Sequence, residues 1–190
     1  MNIKNILQNK KLRPLIDVAI FSVLLLSFHF FYRYWAAHWH FAPFYQLVWD
    51  IQDYLAELLY NNTVWALKHL TSYDFTFLHD KREIWYTAGR GYVGVHHACS
   101  GFKQFLQWTV LMLFFPGPWK QKLWFIPLGI VITHFVNVFR ISGLSVVLVY
   151  LPQHWQFIHD NLYRPFFYVV MFFLWVWWVE KFKNHPTSGN

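Results

Sequence analysis

The sequence predicts an all-α integral membrane protein. It should have about four transmembrane helices, interfacial helices beside them, and a small β-like segment outside the bilayer. Three observations carry this. The chain is 56% hydrophobic and 23% aromatic, with 12 Trp and 21 Phe, and only 13% of it is charged, which is not the composition of a soluble domain. Apolar runs recur near the length of roughly 20 residues that a helix needs to cross about 30 Å of hydrocarbon. The basic residues behind the net charge of +7 flank those runs instead of forming a patch. They read as orientation signals, not as a nucleic-acid surface.

The first run is residues 14–35, preceded by Lys4, Lys10, Lys11 and Arg13. A signal peptide also starts basic, but this run is long and aromatic and no A-x-A site follows. It reads as a retained anchor with a cytoplasmic N-terminus. In residues 41–71, Leu47, Val48, Ile51, Tyr54, Leu55, Leu58 and Leu59 recur at helical spacing, while Gln46, Asp50, Asp53 and Glu57 fill the opposite face. Three acids are costly in lipid, so this predicts a helix lying in the interface or packed on the bundle. Asn62 and Thr63 offer a cap for a short second helix. Residues 72–98 carry β-type residues with turn signals at 79–81 and 89–91, which predicts two or three short strands. Residues 100–115 form a second apolar run, and the loop 116–122 that follows carries Lys120 and Lys122. A third run extends from Leu123 to about Leu151, and a fourth covers 162–179 before the basic "EKFKNH". Four crossings put both ends in the cytoplasm. The organisation is a single domain: anchor and interfacial helices (1–71), a membrane core (72–180) and a disordered cytoplasmic tail (181–190).

Depth follows from helical rise. Arg140 lies 18 residues beyond Lys122, about 27 Å of helix, which carries it from the inner surface to the outer one. Cys99, the single cysteine, opens the descending run at that outer level. The external connection 152–161 brings His154 and His159 there too. A thiol, a guanidinium and an imidazole therefore reach one layer from three elements. A thiolate is the reactive form of cysteine, and helix N-termini and nearby cations stabilise an anion. Gly101 permits close approach to the Cys99 backbone. Lys103, one turn on, and Gln107 could add positive potential. A histidine can serve as base and then acid, and an arginine can hold an oxyanion. Asn137 and Thr133 share the Arg140 face and could hold it in place.

Plainer readings exist for each residue. A cysteine beside a membrane helix can be just a small apolar side chain, Arg140 can snorkel to lipid phosphate, and an interfacial histidine can be structural. His96 and His97, as neighbours on a strand, face opposite ways. A zinc set of His97, His134, His154 and His159 lacks any H-E-x-x-H or C-x-x-C pattern, so neither metal nor cofactor is expected. "GRG" at 89–91 lacks the lysine and helix of a phosphate loop.

The order of the motifs adds a resemblance. "ACSGFKQ" opens one helix, "NVFRISGL" follows some forty residues later, and "FIHD" precedes the last apolar helix. Over residues 72–180 this pattern resembles the exosortase/archaeosortase family of membrane-embedded cysteine transpeptidases, in a short form. The resemblance implies that Cys99 is the nucleophile, Arg140 the second essential residue and His159 the third, with His154 the alternative. It implies supporting or substrate-binding roles for Ser100, Gly101, Lys103, Asn137 and His97. It also implies a bacterial cytoplasmic membrane enzyme with an outward-facing site. Its partners would be exported proteins bearing a C-terminal sorting signal (motif, membrane helix, basic tail), membrane lipids, and an acceptor such as a polysaccharide or lipid. Two rival classes remain. One is another intramembrane hydrolase using Ser100 or a histidine. The other is a non-enzymatic assembly or transport subunit whose Arg140 binds lipid or a partner helix.

Overall fold

The computed structural model describes residues 12–38, 44–86 and 91–183. Its elements are helix α1 (Arg13–His38), helix α2 (Tyr45–Leu70), strands β1 (Phe75–Leu78), β2 (Glu83–Tyr86) and β3 (Tyr92–Gly94), a 3-10 turn (His97–Cys99), helix α3 (Phe102–Phe114) and helix α4 (Trp119–Tyr150). A final helical run holds a 3-10 turn (Pro152–His154), α5 (Trp155–Ile158), a wide π-type turn (His159–Tyr163), α6 (Arg164–Trp178) and a second π-type turn (Val179–Lys183).

An antiparallel hairpin of α3 and α4 organises the molecule. Pro116 and Pro118 cannot continue a helix, and Gly117 turns the chain at φ +153°. At the tip, the Lys122 ammonium donates to the carbonyls of Leu113 (3.1 Å) and Phe115 (2.7 Å), closing the exposed C-terminal end of α3. Midway, the Trp108 indole N–H donates to the Ile126 carbonyl at 3.2 Å. Gly129 lets the Trp108 ring lie on the α4 backbone, in space that a Cβ would occupy. At the top, Asn137 reaches the Cys99 carbonyl.

The expectation of four spans is corrected to three. The helices long and apolar enough to cross are Arg13–His38, Trp119–Tyr150 and Pro152–Phe182. α3 has 13 residues, about 20 Å of rise, short of the hydrocarbon core. The cause is local: Ser100 and Gly101 belong to the turn that presents Cys99, and Pro116 stops the other end.

The membrane-level core joins α1, α3, α4 and α6 through Phe21, Trp108, Phe115, Phe125, Trp175 and Trp178. Most of α1 faces outward, with 11% of its apolar window buried. With 32 residues, about 48 Å, α4 overshoots a single span. Its upper part packs against α2 and the sheet through Ala56, Leu59, Ile84, Val93, Ile141 and Leu144. α2 is not among the helices apolar enough to cross, because Asp50, Asp53, Glu57 and Lys68 interrupt it.

α2 runs unbroken to Leu70, so the break expected at Asn62 is absent. Asn62 instead bonds the His134 ring on α4 at 2.8 Å, and the Thr63 hydroxyl donates to the Leu59 carbonyl at 2.8 Å. The strands form one antiparallel sheet in the order β1-β2-β3, with buried Ile84 opposite buried Val93. Arg82, at the β1–β2 turn, pairs with Asp53 at 2.6 Å and ties the sheet to α2. Of the second expected turn, Gly91 is described, at φ +126°, while residues 87–90 lie outside the described residues. The N-terminal lysines and residues 184–190 also lie outside them, and helical winding continues to Lys183, past the expected start of the tail at 181.

Candidate active site

Cys99 sits on a turn held from two sides. Its N–H donates to the His96 carbonyl at 2.8 Å, and its carbonyl accepts from the Asn137 amide at 2.8 Å. Gly101 then caps α3 at φ +84°, and a Cβ there would lie 3.1 Å from the Asn137 Nδ2. A left-handed conformation and a close neighbour together call for glycine. Ser100 is buried, and its hydroxyl accepts from the Phe102 N–H at 3.3 Å.

Arg140 stands one helical turn above Asn137 on α4. It is 8% exposed, and its guanidinium is close enough to Cys99 for the two to interact electrostatically. Phe167 of α6 backs it, with its ring centroid 5.5 Å from the guanidinium carbon. The Arg140 Nε and the Asn137 Oδ1 are buried with no hydrogen-bond partner among the described residues. The site thus holds polar capacity that the described chain does not use, which a reacting substrate could take up.

His159 occupies the π-type turn. Its Nδ1 is 2.8 Å from the Asp160 carboxylate, and its ring stacks on Trp155 with centroids 5.1 Å apart and planes at 3°. Asp160 also pairs with Arg164 at 3.1 Å and accepts from Gln156. With Nδ1 turned to Asp160, Nε2 is left to exchange a proton. The hydrogen bond of His159 therefore goes to Asp160, not to the thiol. The two groups of residues adjoin through the upper core, on which Cys99, Trp155 and Tyr163 all pack.

The structure bonds Asn137 to the Cys99 turn, places Arg140 one helical turn above it near the thiol, and sets His159 on the neighbouring segment. Other predicted residues stand elsewhere. His154 is exposed at the end of its 3-10 turn. The His97 ring lies tilted against Trp49, with centroids 4.1 Å apart. Lys103 points to α1, with its ammonium 3.2 Å from the His29 ring nitrogen and over Tyr32, instead of facing the thiol. Gln107 donates to the Leu25 carbonyl of α1. Thr133 donates to the Gly129 carbonyl and does not hold Arg140. Asn137 holds the Cys99 carbonyl in place of Arg140. The sequence reading missed Asp160 and Arg164 as an ion pair at the His159 turn; their i,i+4 spacing was the available signal. Phe167 behind Arg140 had none, because it is brought there by packing.

Residues 11–176 match the family model described as Transmembrane exosortase (Exosortase_EpsH), while no curated protein and no solved structure matches the chain. The matched stretch extends the resemblance upstream, across α1 and α2, and includes the Cys99 turn, the Arg140 helix and the His159 segment. A match over most of the chain decides the family: this protein is a member of the transmembrane exosortases.

Proposed function

We propose that the chain is a cysteine transpeptidase or peptidase that cuts C-terminal sorting signals from exported proteins. It does so at the outer face of the bacterial cytoplasmic membrane. The observation that supports this above all is the Cys99 turn pinned through its carbonyl by Asn137 at 2.8 Å, with buried Arg140 one helical turn above Asn137.

In this reading, Cys99 Sγ attacks the scissile peptide carbonyl and His159 takes the thiol proton. Arg140 stabilises the oxyanion of the tetrahedral intermediate. The C–N bond breaks, His159 returns the proton to the leaving amine, and the remnant helix departs. The acyl thioester is then attacked by an acceptor nucleophile on a polysaccharide or lipid, or by water. His159 removes that nucleophile's proton, and the thiol re-forms. Asp160 keeps the imidazole oriented and balances its charge.

The orientation is argued from packing. The Trp178 indole N–H donates to the Pro116 carbonyl at the hairpin tip, and Phe21 of α1 packs on Trp175. The start of α1, the hairpin tip and the end of α6 therefore gather at one end, where Lys120 and Lys181 are the basic flanks of a cytoplasmic face; α3, though shorter than a full helical span, carries the chain from the Cys99 turn down to the tip at that end. Cys99 and Arg140 lie toward the opposite end of the hairpin, where an exported substrate's scissile bond would meet them.

The test is co-expression with a substrate bearing a C-terminal sorting signal. Cys99→Ala should accumulate in membranes normally and leave the precursor uncut. Normal processing by Cys99→Ala would remove the thiol mechanism and favour a non-enzymatic role.

A further inference from the structure

His38 and His69 each follow an aromatic residue by four positions on a helix, as His159 follows Trp155. At His38 and His69 the imidazole Nδ1 turns back to the carbonyl of that aromatic residue, Tyr34 at 2.9 Å and Trp65 at 2.8 Å. The rings then meet at 33° and 22°. At His159 the arrangement is different. Its Nδ1 goes to the Asp160 carboxylate at 2.8 Å, on a π-type turn that begins at the histidine itself. The imidazole is free of the backbone and lies parallel to the Trp155 indole, with planes at 3° and centroids 5.1 Å apart, an offset stack. Trp155 packs on the same upper core as Cys99. Its indole N–H is buried with no acceptor among the described residues. A leucine would fill that place without stranding a donor. What a leucine would not supply is an aromatic face.

We propose that Trp155 is a positioning residue for His159. Asp160 fixes which ring nitrogen points where, and Trp155 fixes the plane in which the ring lies. The two constraints complement each other. A hydrogen bond in the ring plane leaves the ring free to tilt about the bond axis, and a stacked face removes that freedom. With both in place, Nε2 is held in one direction for the proton transfers described above. When His159 takes the thiol proton, the imidazolium lies against the indole face, which favours positive charge. The charged groups beside the imidazole are Asp160 and, paired to it at 3.1 Å, Arg164. The indole adds its stabilisation without adding a further charge. The positioning role rests on the transfer reading above; the stack itself stands on the ring geometry.

The full chain in detergent is assayed on a precursor bearing a C-terminal sorting signal. Trp155→Leu should lower kcat by about 10- to 100-fold, the scale of a misplaced reacting group, with KM unchanged. Trp155→Phe, which keeps a ring face, should recover most of that rate. In a His159→Gln background, Trp155→Leu should cost nothing further, because it acts through the imidazole. Nuclear magnetic resonance of histidine-labelled protein reads the stack without any substrate. The His159 ring-proton signals, identified by their loss in His159→Gln, should move downfield in Trp155→Leu as the indole ring current is removed. Wild-type kcat in Trp155→Leu overturns the proposal, as do His159 signals that stay in place. An equal loss in Trp155→Leu with and without His159 also overturns it, since that is what a purely structural role would give. Failure of the transfer reading looks different. His159→Gln that processes precursor at the wild-type rate removes His159 from the chemistry, and the role of Trp155 with it. Slow His159→Gln with full-rate Trp155→Leu removes Trp155 alone.

Discussion

Gly101 and Arg140 show what single positions contribute. Gly101 holds φ +84° with the Asn137 amide 3.1 Å from where a Cβ would stand. Gly101→Ala should therefore cost about 1–2 kcal/mol from backbone strain alone. It should also loosen the Asn137 bond to the Cys99 carbonyl. The expected result is a lower unfolding midpoint in detergent together with slower precursor cleavage. Arg140 is buried near the thiol, and a lysine would keep the charge but lose the planar fork. Arg140→Lys should cut the rate of precursor processing by roughly 10²-fold, the scale of losing an oxyanion donor, while membrane accumulation stays normal. A pulse-chase rate equal to wild type would show that the guanidinium has no part in the chemistry. Both residues were legible in the sequence as a glycine beside the thiol and an arginine at the same depth. Their contact was not, because depth along a helix says nothing of rotation about it.

Among the elements, the α3–α4 hairpin carries the geometry. Its antiparallel register is tied at three heights by Lys122, Trp108 and Asn137. Lys122 is 3% exposed and saturates two α3 carbonyls at the tip. Lys122→Met should leave those carbonyls unsatisfied and lower stability by about 1–3 kcal/mol, read as a drop in the thermal midpoint. An unchanged midpoint would show that the cap contributes nothing. The sequence reading saw Lys122 only as a marker of the inner surface. An apolar run of membrane composition was likewise taken as a full span. Composition does not reveal that the Cys99 turn consumes the first residues of that run, leaving α3 shorter than a full helical span. For α2 the expectation of a non-spanning helix agrees with its composition, which is not apolar enough to count as a span, since a polar face with three acids is visible in the sequence. The break expected at Asn62 was misread, because a local capping preference was outweighed by a continuous apolar stripe packed on α4.

For the whole molecule, the proposed topology makes a prediction that needs no substrate. Cys99 is the single cysteine, so any thiol label reports it alone. A membrane-impermeant maleimide added to intact spheroplasts should label Cys99 without permeabilisation, and prior blocking from outside should prevent later labelling. Labelling that appears only after the membrane is opened would put the site on the cytoplasmic side and contradict the outward-facing reading. The gathering of the α1 start, hairpin tip and α6 end at one end of the fold is what ties this outcome to the rest of the structure.

By itself the sequence determined the solvent, the helical class and the chemical inventory. Bilayer insertion depends on summed apolar composition, and residue types need no geometry to be named. It also placed the thiol and the guanidinium at a common depth, since helical rise is constant. Only the tertiary structure decided which of those groups touch. Asn137 turned out to hold the Cys99 carbonyl, and Lys103 turned away to α1. His159 took Asp160 as its partner, and α3 stopped short of a full crossing. Each of these depends on how helices rotate against one another to bury their large aromatic side chains, a many-body packing result that no local stretch of residues encodes.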